Sequence, residues 1–272
     1  MEHLNVLITG ASGGIGYELA KMFASRNNHV ILVARDEERL ESIRAELSAQ
    51  GRAVTVIPKD LTDAEAARNI YETLERRGMQ IHVLVNNAGG GMYGNFAELS
   101  LERQLHMIRL NLVAVTELTH WFSQRMVERR FGRILNVGSI SSFLPTPSMS
   151  VYAATKAYVL SFSEALDAEL GRRGDISVTA LCPGFTNTEF IKDLNMGPLE
   201  PLIERIAMKP ADVARCGYEA LRKKKAVAVA GKGNALLAAL CRLLPRAWVR
   251  RCAAAIFREP PRTRRRNSSA GF

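Results

Sequence analysis

Residues 9 to 16 read TGASGGIG, directly after the apolar run NVLIT (5 to 9) and at the opening of the helical pattern GYELAKMFASR. Glycines 10, 14 and 16 let the chain turn sharply out of a buried strand, approach a ligand with bare backbone and bring helix against strand. The helix that follows presents free N–H groups and partial positive charge at its first turn, which suits a phosphate. Ser12 and Ile15, inside the loop, join Gly10, Gly14 and Gly16 as candidate phosphate-side contacts. The spacing is GxxxGxG and not the GxGxxG of the usual dinucleotide fingerprint.

A strand–turn–helix opening predicts more of the same, and the alternation continues to about residue 230. Strands are predicted at HVILVA (29 to 34), AVTVIP (53 to 58), HVLVNN (82 to 87), RILNVG (133 to 138), SVTAL (177 to 181) and AVAVA (226 to 230). Between them lie helical patterns such as DEERLESIRAELSAQ, DAEAARNIYETLERR, EALDAELGRR and ADVARCGYEALRK. Nearly continuous apolar strands alternating with amphipathic helices imply an α/β fold, a doubly wound, Rossmann-like parallel sheet of about seven strands with helices on both faces. Residues 187 to 209, with Pro198 and Pro201, break the rhythm and are expected to form a lid over a site.

The net charge of +10 invites a nucleic-acid reading until its position is considered. From Lys232 onward ten Lys or Arg face Glu259 alone, so the preceding 231 residues carry about +1. The excess belongs to an extension, and no specific nucleic-acid partner is expected. Cys182, Cys216, Cys241 and Cys252 have neither metal-ligand spacing nor the density of a disulfide scaffold. With no signal-peptide pattern at the start, a cytoplasmic location is the expectation.

Two further features suggest chemistry. In VYAATKAYVL, Tyr152 and Lys156 stand four apart and therefore share a helix face, where the ammonium would favour the phenolate and lower the phenol's pKa. At the end of the second strand, where an acid would bind the 2′-hydroxyl of NAD, the chain reads Ala34-Arg35, which suits the 2′-phosphate of NADP(H). The plainer reading of Arg35 is a solvated arginine balanced by Asp36 and Glu37.

TGASGGIG, Asp60-Leu61, Asn86-Asn87-Ala88-Gly89, Asn111, Ser139, YAATK and Pro183-Gly184 together resemble the ordered motif set of the short-chain dehydrogenase/reductases, over about residues 4 to 231. The resemblance implies an NADP(H)-dependent oxidoreductase interconverting a carbonyl and an alcohol by hydride transfer. It makes Tyr152 the general acid or base and Lys156 the residue that tunes it and grips the nicotinamide ribose. Ser139, thirteen residues before Tyr152, would donate to the substrate oxygen, and Asn111 would hold a relay water. Ser141 and Ser142 rival Ser139 on local composition. Asp60 would accept from the adenine amino group, with Leu61 beside it, or else cap the helix starting near Asp63. Asn86, Asn87, Ala88 and Gly89 would line the cofactor cleft or brace the sheet. Pro183 and Gly184 would border the nicotinamide, with Thr188, or its rival Thr186, bonding the carboxamide.

Phe143, Leu144, Met149, Phe185, Phe190, Ile191, Leu194, Met196 and Leu199 offer an apolar wall, which favours an acyl, steroid-like or xenobiotic carbonyl over a sugar. The expected organisation is a catalytic domain over 1–231, a basic amphipathic helical extension over 232–257 and a disordered arginine-rich tail over 258–272. The extension has three candidate roles: packing over the cleft, joining a partner in a homo-oligomer, or touching a membrane surface peripherally. No metal is expected. A non-catalytic NADPH-binding sensor or scaffold is the alternative, but it needs only the nucleotide half of these motifs.

Overall fold

The computed structural model describes residues 1–194, 196–197 and 200–257; the expected tail over 258–272 lies outside the described residues. Seven strands form one sheet: β1 (Asn5–Thr9), β2 (His29–Ala34), β3 (Val54–Pro58), β4 (Val83–Asn86), β5 (Phe131–Val137), β6 (Asp175–Cys182) and β7 (Val227–Val229). Their order is β3-β2-β1-β4-β5-β6-β7 and every pairing is parallel. This is the doubly wound architecture expected from the alternation.

The period of two in the strands decides which helices each face receives. Val6, Ile8, Val30, Leu32, Val83 and Val85 point into one core layer, shared with α1 (Gly14–Ala24), α2 (Glu37–Ser48) and α9 (Pro210–Arg222). Leu7, Ile31, Val33 and Leu84 point the other way, toward α3 (Ala66–Arg76) and α5 (Ala114–Glu128). Because both faces are buried, the central residues of these strands are apolar on both sides, and polar residues such as Asn5, Thr9, His29 and Asn86 stand only at the strand ends.

The chain winds outward from β1 through β2 to β3 and then returns to place β4 on β1's other side. The carboxyl ends of β1 and β4 therefore diverge, opening the crevice in which folds of this type take their ligands. TGASGGIG, Asn86 to Gly89, Ser139 and Pro183-Gly184 all follow strand carboxyl ends and converge on that edge. Helix α4 (Leu101–Ile108) is capped by the Ser100 hydroxyl, which accepts from Arg103 N at 3.3 Å, and passes into α5 through a π-helical turn at Arg109–Val113.

Two elements differ from the pattern read in the sequence. Helix α6 runs from Ser150 to Leu170, so the segment read as EALDAELGRR is only the end of a longer helix that contains YAATK. Its first half is buried among polar and apolar partners alike and so lacks a clean amphipathic stripe. The described residues between 187 and 209 include two short helices, α7 (Glu189–Asp193) and α8 (Glu200–Ile206), and a bridge joins Thr186 to Met208.

Beyond β7, α10 (Lys232–Leu243) and α11 (Arg246–Ile256) are separated by extended Leu244 and by Pro245, whose ring cannot continue a helix. Ala238 packs on Phe143, Leu160, Ala180 and Cys182, and Val249 and Ala253 are the buried residues of α11. Arg242 pairs with Glu164 at 2.9 Å. Among the described residues no helix is long and apolar enough to cross a membrane.

Candidate active site

The glycine loop is shaped by close backbone approach. A Cβ on Gly16 would stand 2.2 Å from the Gly10 carbonyl oxygen and 2.6 Å from Asn87 Nδ2, so no larger residue fits there without moving main chain. Gly10 itself turns at φ +63°, in the left-handed region. At Gly13, the N-cap of α1, a Cβ would meet nothing within 4 Å, so the loop is open on the side of the helix N-terminus. An open, bare cradle at a helix start fits the pyrophosphate of a dinucleotide. Ser12 and Ile15 are half-buried within it, Ile15 packing against the core.

Asn87 fixes the loop from the neighbouring strand. Its Nδ2 donates to the carbonyls of Thr9 at 3.0 Å and Gly10 at 3.1 Å, while Asn87 N and Ala88 N both donate to Thr9 Oγ1 at 3.0 Å. Asn86 is turned into the sheet, its Nδ2 donating to Thr119 Oγ1 and to Asn136 Oδ1. That side chain braces β4 against β5 and α5 and is not directed at the cleft. On the far side of the loop, Thr188 Cγ2 lies 2.9 Å from where a Gly14 Cβ would be, whereas Thr186 is buried and donates to Gly184 O at 3.0 Å. Of the two rivals, Thr188 faces the glycine loop. The Pro183 carbonyl accepts from Ile140 N at 2.7 Å, and Gly184 lies so close to the Asn234 side chain that a Cβ would stand 2.4 Å from its Nδ2.

Asp60 does not cap a helix, since α3 begins only at Ala66. Its Oδ1 accepts from Thr62 N and Thr62 Oγ1 in a local turn, and its Oδ2 lies 3.7 Å from Arg35 Nη1. Partial burial pushes this carboxyl up, but the Thr62 bonds and the Arg35 charge outweigh it and hold the pKa below the ordinary value. Leu61 is buried beside it. The Arg35 side chain is 70% exposed and free to meet an anion. A second arginine was not foreseen: Arg39, one turn into α2, donates from Nε to Ser12 O at 3.3 Å and lies over the Tyr17 ring. Its spacing from Arg35, i to i+4 across the helix start, was the available signal.

The central group lies on α6 and at the end of β5. Tyr152 is 8% exposed, and the Ser139 side chain is the neighbour that favours its phenolate. Ser139 starts a short 3-10 turn, its Oγ accepting from Ser141 N at 3.1 Å. Ser142 has a different partner, its hydroxyl donating to the Lys156 carbonyl at 2.7 Å. Of the three serines, the structure brings Ser139 to the tyrosine.

Lys156 Nζ stands 5.8 Å from the Tyr152 ring centroid and donates to Val137 O at 2.8 Å. Burial lowers its pKa to about 8. The expected lowering at Tyr152 is not what this arrangement gives. Burial pushes the phenol up to about 12, against the effect of the Ser139 side chain, because the ring is enclosed by apolar side chains and the ammonium is directed at Val137.

Asn111 lies in the π-helical turn and is fully buried. Its Nδ2 donates to Gly90 O and Thr155 Oγ1, and its Oδ1 accepts from Gly90 N. A Cβ on Gly89 would stand 3.3 Å from both Asn111 Oδ1 and Lys156 Nζ, so these two groups flank that glycine.

Above the tyrosine lies an apolar cluster of Met107, Met149, Tyr152, Leu194, Met196 and Ile203, with Phe185, Phe190 and Ile191 packed against it. The Phe190 ring is 5.8 Å from that of Tyr152. Most of the expected wall is here. Phe143 and Leu144 are not: Phe143 belongs to the cluster under α10, with Arg242 over its ring, and Leu144 stands apart from both groups. Leu199 lies outside the described residues. Ile203, from the expected lid segment, also reaches this cluster, as do Tyr93, Met107 and Phe257 from segments too distant in sequence to be assigned by local pattern.

Residues 4–198 match the family model described as short chain dehydrogenase. A probable oxidoreductase, EphD, of Mycobacterium tuberculosis is 30% identical over 257 residues, covering 89% of this chain but 43% of its own length. An 11-beta-hydroxysteroid dehydrogenase of Pinus massoniana is 40% identical over 195 residues, 71% of this chain and 54% of that protein. The chain thus spans roughly half the length of these relatives. A short-chain dehydrogenase from Sphingobium yanoikuyae, solved in complex with NADPH, superimposes with a TM-score of 0.78 at 34% identity, covering 90% of this chain and 97% of that one. With the family model matching 195 of the 272 residues, the chain belongs to the short chain dehydrogenase family.

Proposed function

We propose that the protein is an NADP(H)-dependent oxidoreductase that reduces an apolar ketone, aldehyde or acyl carbonyl, or oxidises the corresponding alcohol. The observation that carries this reading is the meeting of buried Tyr152 and Lys156, with Lys156 Nζ 5.8 Å from the Tyr152 ring and Ser139 beside them, at the strand edge that also holds the glycine cradle.

Gly10, Ser12, Gly14, Ile15 and Gly16 would hold the pyrophosphate, Asp60 and Leu61 the adenine, and Asn87, Ala88, Gly89, Pro183, Gly184 and Thr188 the nicotinamide half. Arg35, with Arg39 behind it, would meet a 2′-phosphate. When bound, the cofactor supplies or accepts the hydride. Tyr152, protonated at neutral pH because burial holds its pKa near 12, is the proton donor to the developing alkoxide in reduction. Ser139 shares its hydroxyl with the same oxygen and stabilises its charge. Lys156, still charged at neutral pH with a pKa near 8, is the cation available to the nicotinamide ribose and offsets negative charge left on the phenolate. A proton must then return to Tyr152 from solvent. Both Nδ2 hydrogens of Asn111 are used, so a relay water would be held by its free Oδ1 lone pair or its backbone carbonyl.

Phe190, Leu194 and Met196 pack over Tyr152 and would form the apolar cover that a substrate meets. The apolar character of that cover supports a hydrophobic substrate, as does the similarity to a protein named for steroid dehydrogenation. A second copy of the chain belongs to the same reading, supported by exposed Leu101, Leu105 and Val113 along α4 and the turn that follows it. A cytoplasmic location is supported by four free thiols.

The test is NADPH and NADH oxidation against a panel of ring ketones, acyl thioesters and sugars. Faster turnover of apolar carbonyls with NADPH is expected. A preference for sugars would contradict the substrate class, and absence of turnover across the panel would contradict the activity.

A further inference from the structure

The extension after β7 packs on the fold by a narrow inner edge and leaves a broad apolar face uncovered. On α10, Ala238 and Cys241 face the cluster at Phe143 and Leu160, while Leu236, Leu240 and Leu243, at i, i+4 and i+7, form one stripe on the opposite side. Leu243 is 82% exposed and Leu236 63%. On α11, Trp248 and Ile256 are each 63% exposed. Stripes of this kind on a helix are ordinarily buried.

Charge identifies what covers it. Between Lys232 and Phe257 there are five Lys or Arg and no Asp or Glu. Arg242 is paired with Glu164, but Arg246, Arg250 and Arg251 are exposed and meet no carboxylate among the described residues. A second copy docking by the same face would bring these cations against their equivalents with no acid to balance them. An anionic headgroup layer balances them, while the leucines and Trp248 enter the boundary between headgroups and acyl chains. Neither helix can span a bilayer, so the pair would lie in the interface plane.

We propose that the outer face of α10 and α11 is a docking surface for anionic lipid bilayers. Phe257, at the end of α11, packs into the apolar cluster around Tyr152, so the docking element also closes one side of the cleft.

The test is flotation of the full chain with vesicles of phosphatidylcholine alone or with roughly a third phosphatidylglycerol, where the added anionic lipid is the attracting charge. Binding is expected only with the anionic vesicles, and to fall at least about tenfold as sodium chloride rises from about 0.1 to about 0.5 M, as screening requires. Two full-length variants, Arg246→Glu/Arg250→Glu/Arg251→Glu and Leu243→Ser/Trp248→Ser, should each lose at least about tenfold in binding while keeping the wild-type melting temperature. Absent or charge-independent flotation would overturn the proposal. So would flotation that survives both variants, which would place the contact elsewhere in the chain. A wild-type oligomer that dissociates in the leucine–tryptophan variant would show that a second copy covers the face.

Discussion

The glycine loop and the C-terminal helical pair hold the same family fold to very different standards. In the loop, main chain meets main chain: Gly16 has the Gly10 carbonyl where a side chain would start, and Asn87 bonds the consecutive carbonyls of Thr9 and Gly10 as the chain leaves β1. In the helical pair, three small or branched side chains, Ala238, Val249 and Ala253, are buried and nearly everything else faces outward. A ligand phosphate requires one backbone shape, and only particular residues allow it. Apolar cover requires only hydrophobic volume, which many residues supply.

The largest effect that could break this contrast is at Gly16. Gly16→Ala forces a Cβ onto a backbone oxygen 2.2 Å away, and about 3 kcal/mol of stability should be lost, measured by urea unfolding. A loss below about 1 kcal/mol would mean that the loop relaxes easily and is not the rigid element described here. Arg35→Ala sharpens the contrast within the cofactor half, because it removes charge and leaves backbone shape intact. At 70% exposure, the loss of one charge-assisted bond should weaken NADPH binding by about 1.5 kcal/mol, roughly tenfold, with little change for NADH in calorimetric titrations. An unchanged ratio of the two affinities would transfer the 2′-phosphate to Arg39. The smallest effect is expected in α10, where a Cβ at Gly233 meets nothing. Gly233→Ala should raise stability by about 0.5 to 1 kcal/mol through lower unfolded-chain entropy and better helix propensity. A loss there would show tighter packing of the extension than its exposed residues indicate.

The same contrast explains what could be read from the sequence. Strand positions and the parallel sheet were legible because burial on both faces leaves runs such as HVILVA with no polar interruption. The glycine loop, Tyr152, Lys156 and Ser139 were legible because their chemistry fixes residue type and spacing together. The direction of the Tyr152 shift was not, because spacing along α6 gives the lysine's neighbourhood but not that Nζ is directed at Val137 O, nor that Phe190, Leu194 and Met196 enclose the ring. Phe143, expected in the substrate wall for its apolar character, lies instead beneath α10, since an apolar residue after a tight turn can serve either side. Phe257 reaches the tyrosine's cluster from more than a hundred residues away, a contact that depends on the path of the whole chain.

The central claim is that Tyr152 delivers the proton while the glycine cradle independently holds the cofactor. Steady-state kinetics and NADPH titration of Tyr152→Phe, with the fastest carbonyl of the panel, test it most directly. The ring and its packing on Phe190 are kept, so NADPH affinity and melting temperature should match the wild type, while kcat falls by about 10²- to 10⁴-fold with loss of the acid. A variant that still reduces the carbonyl at a comparable rate would contradict the assignment.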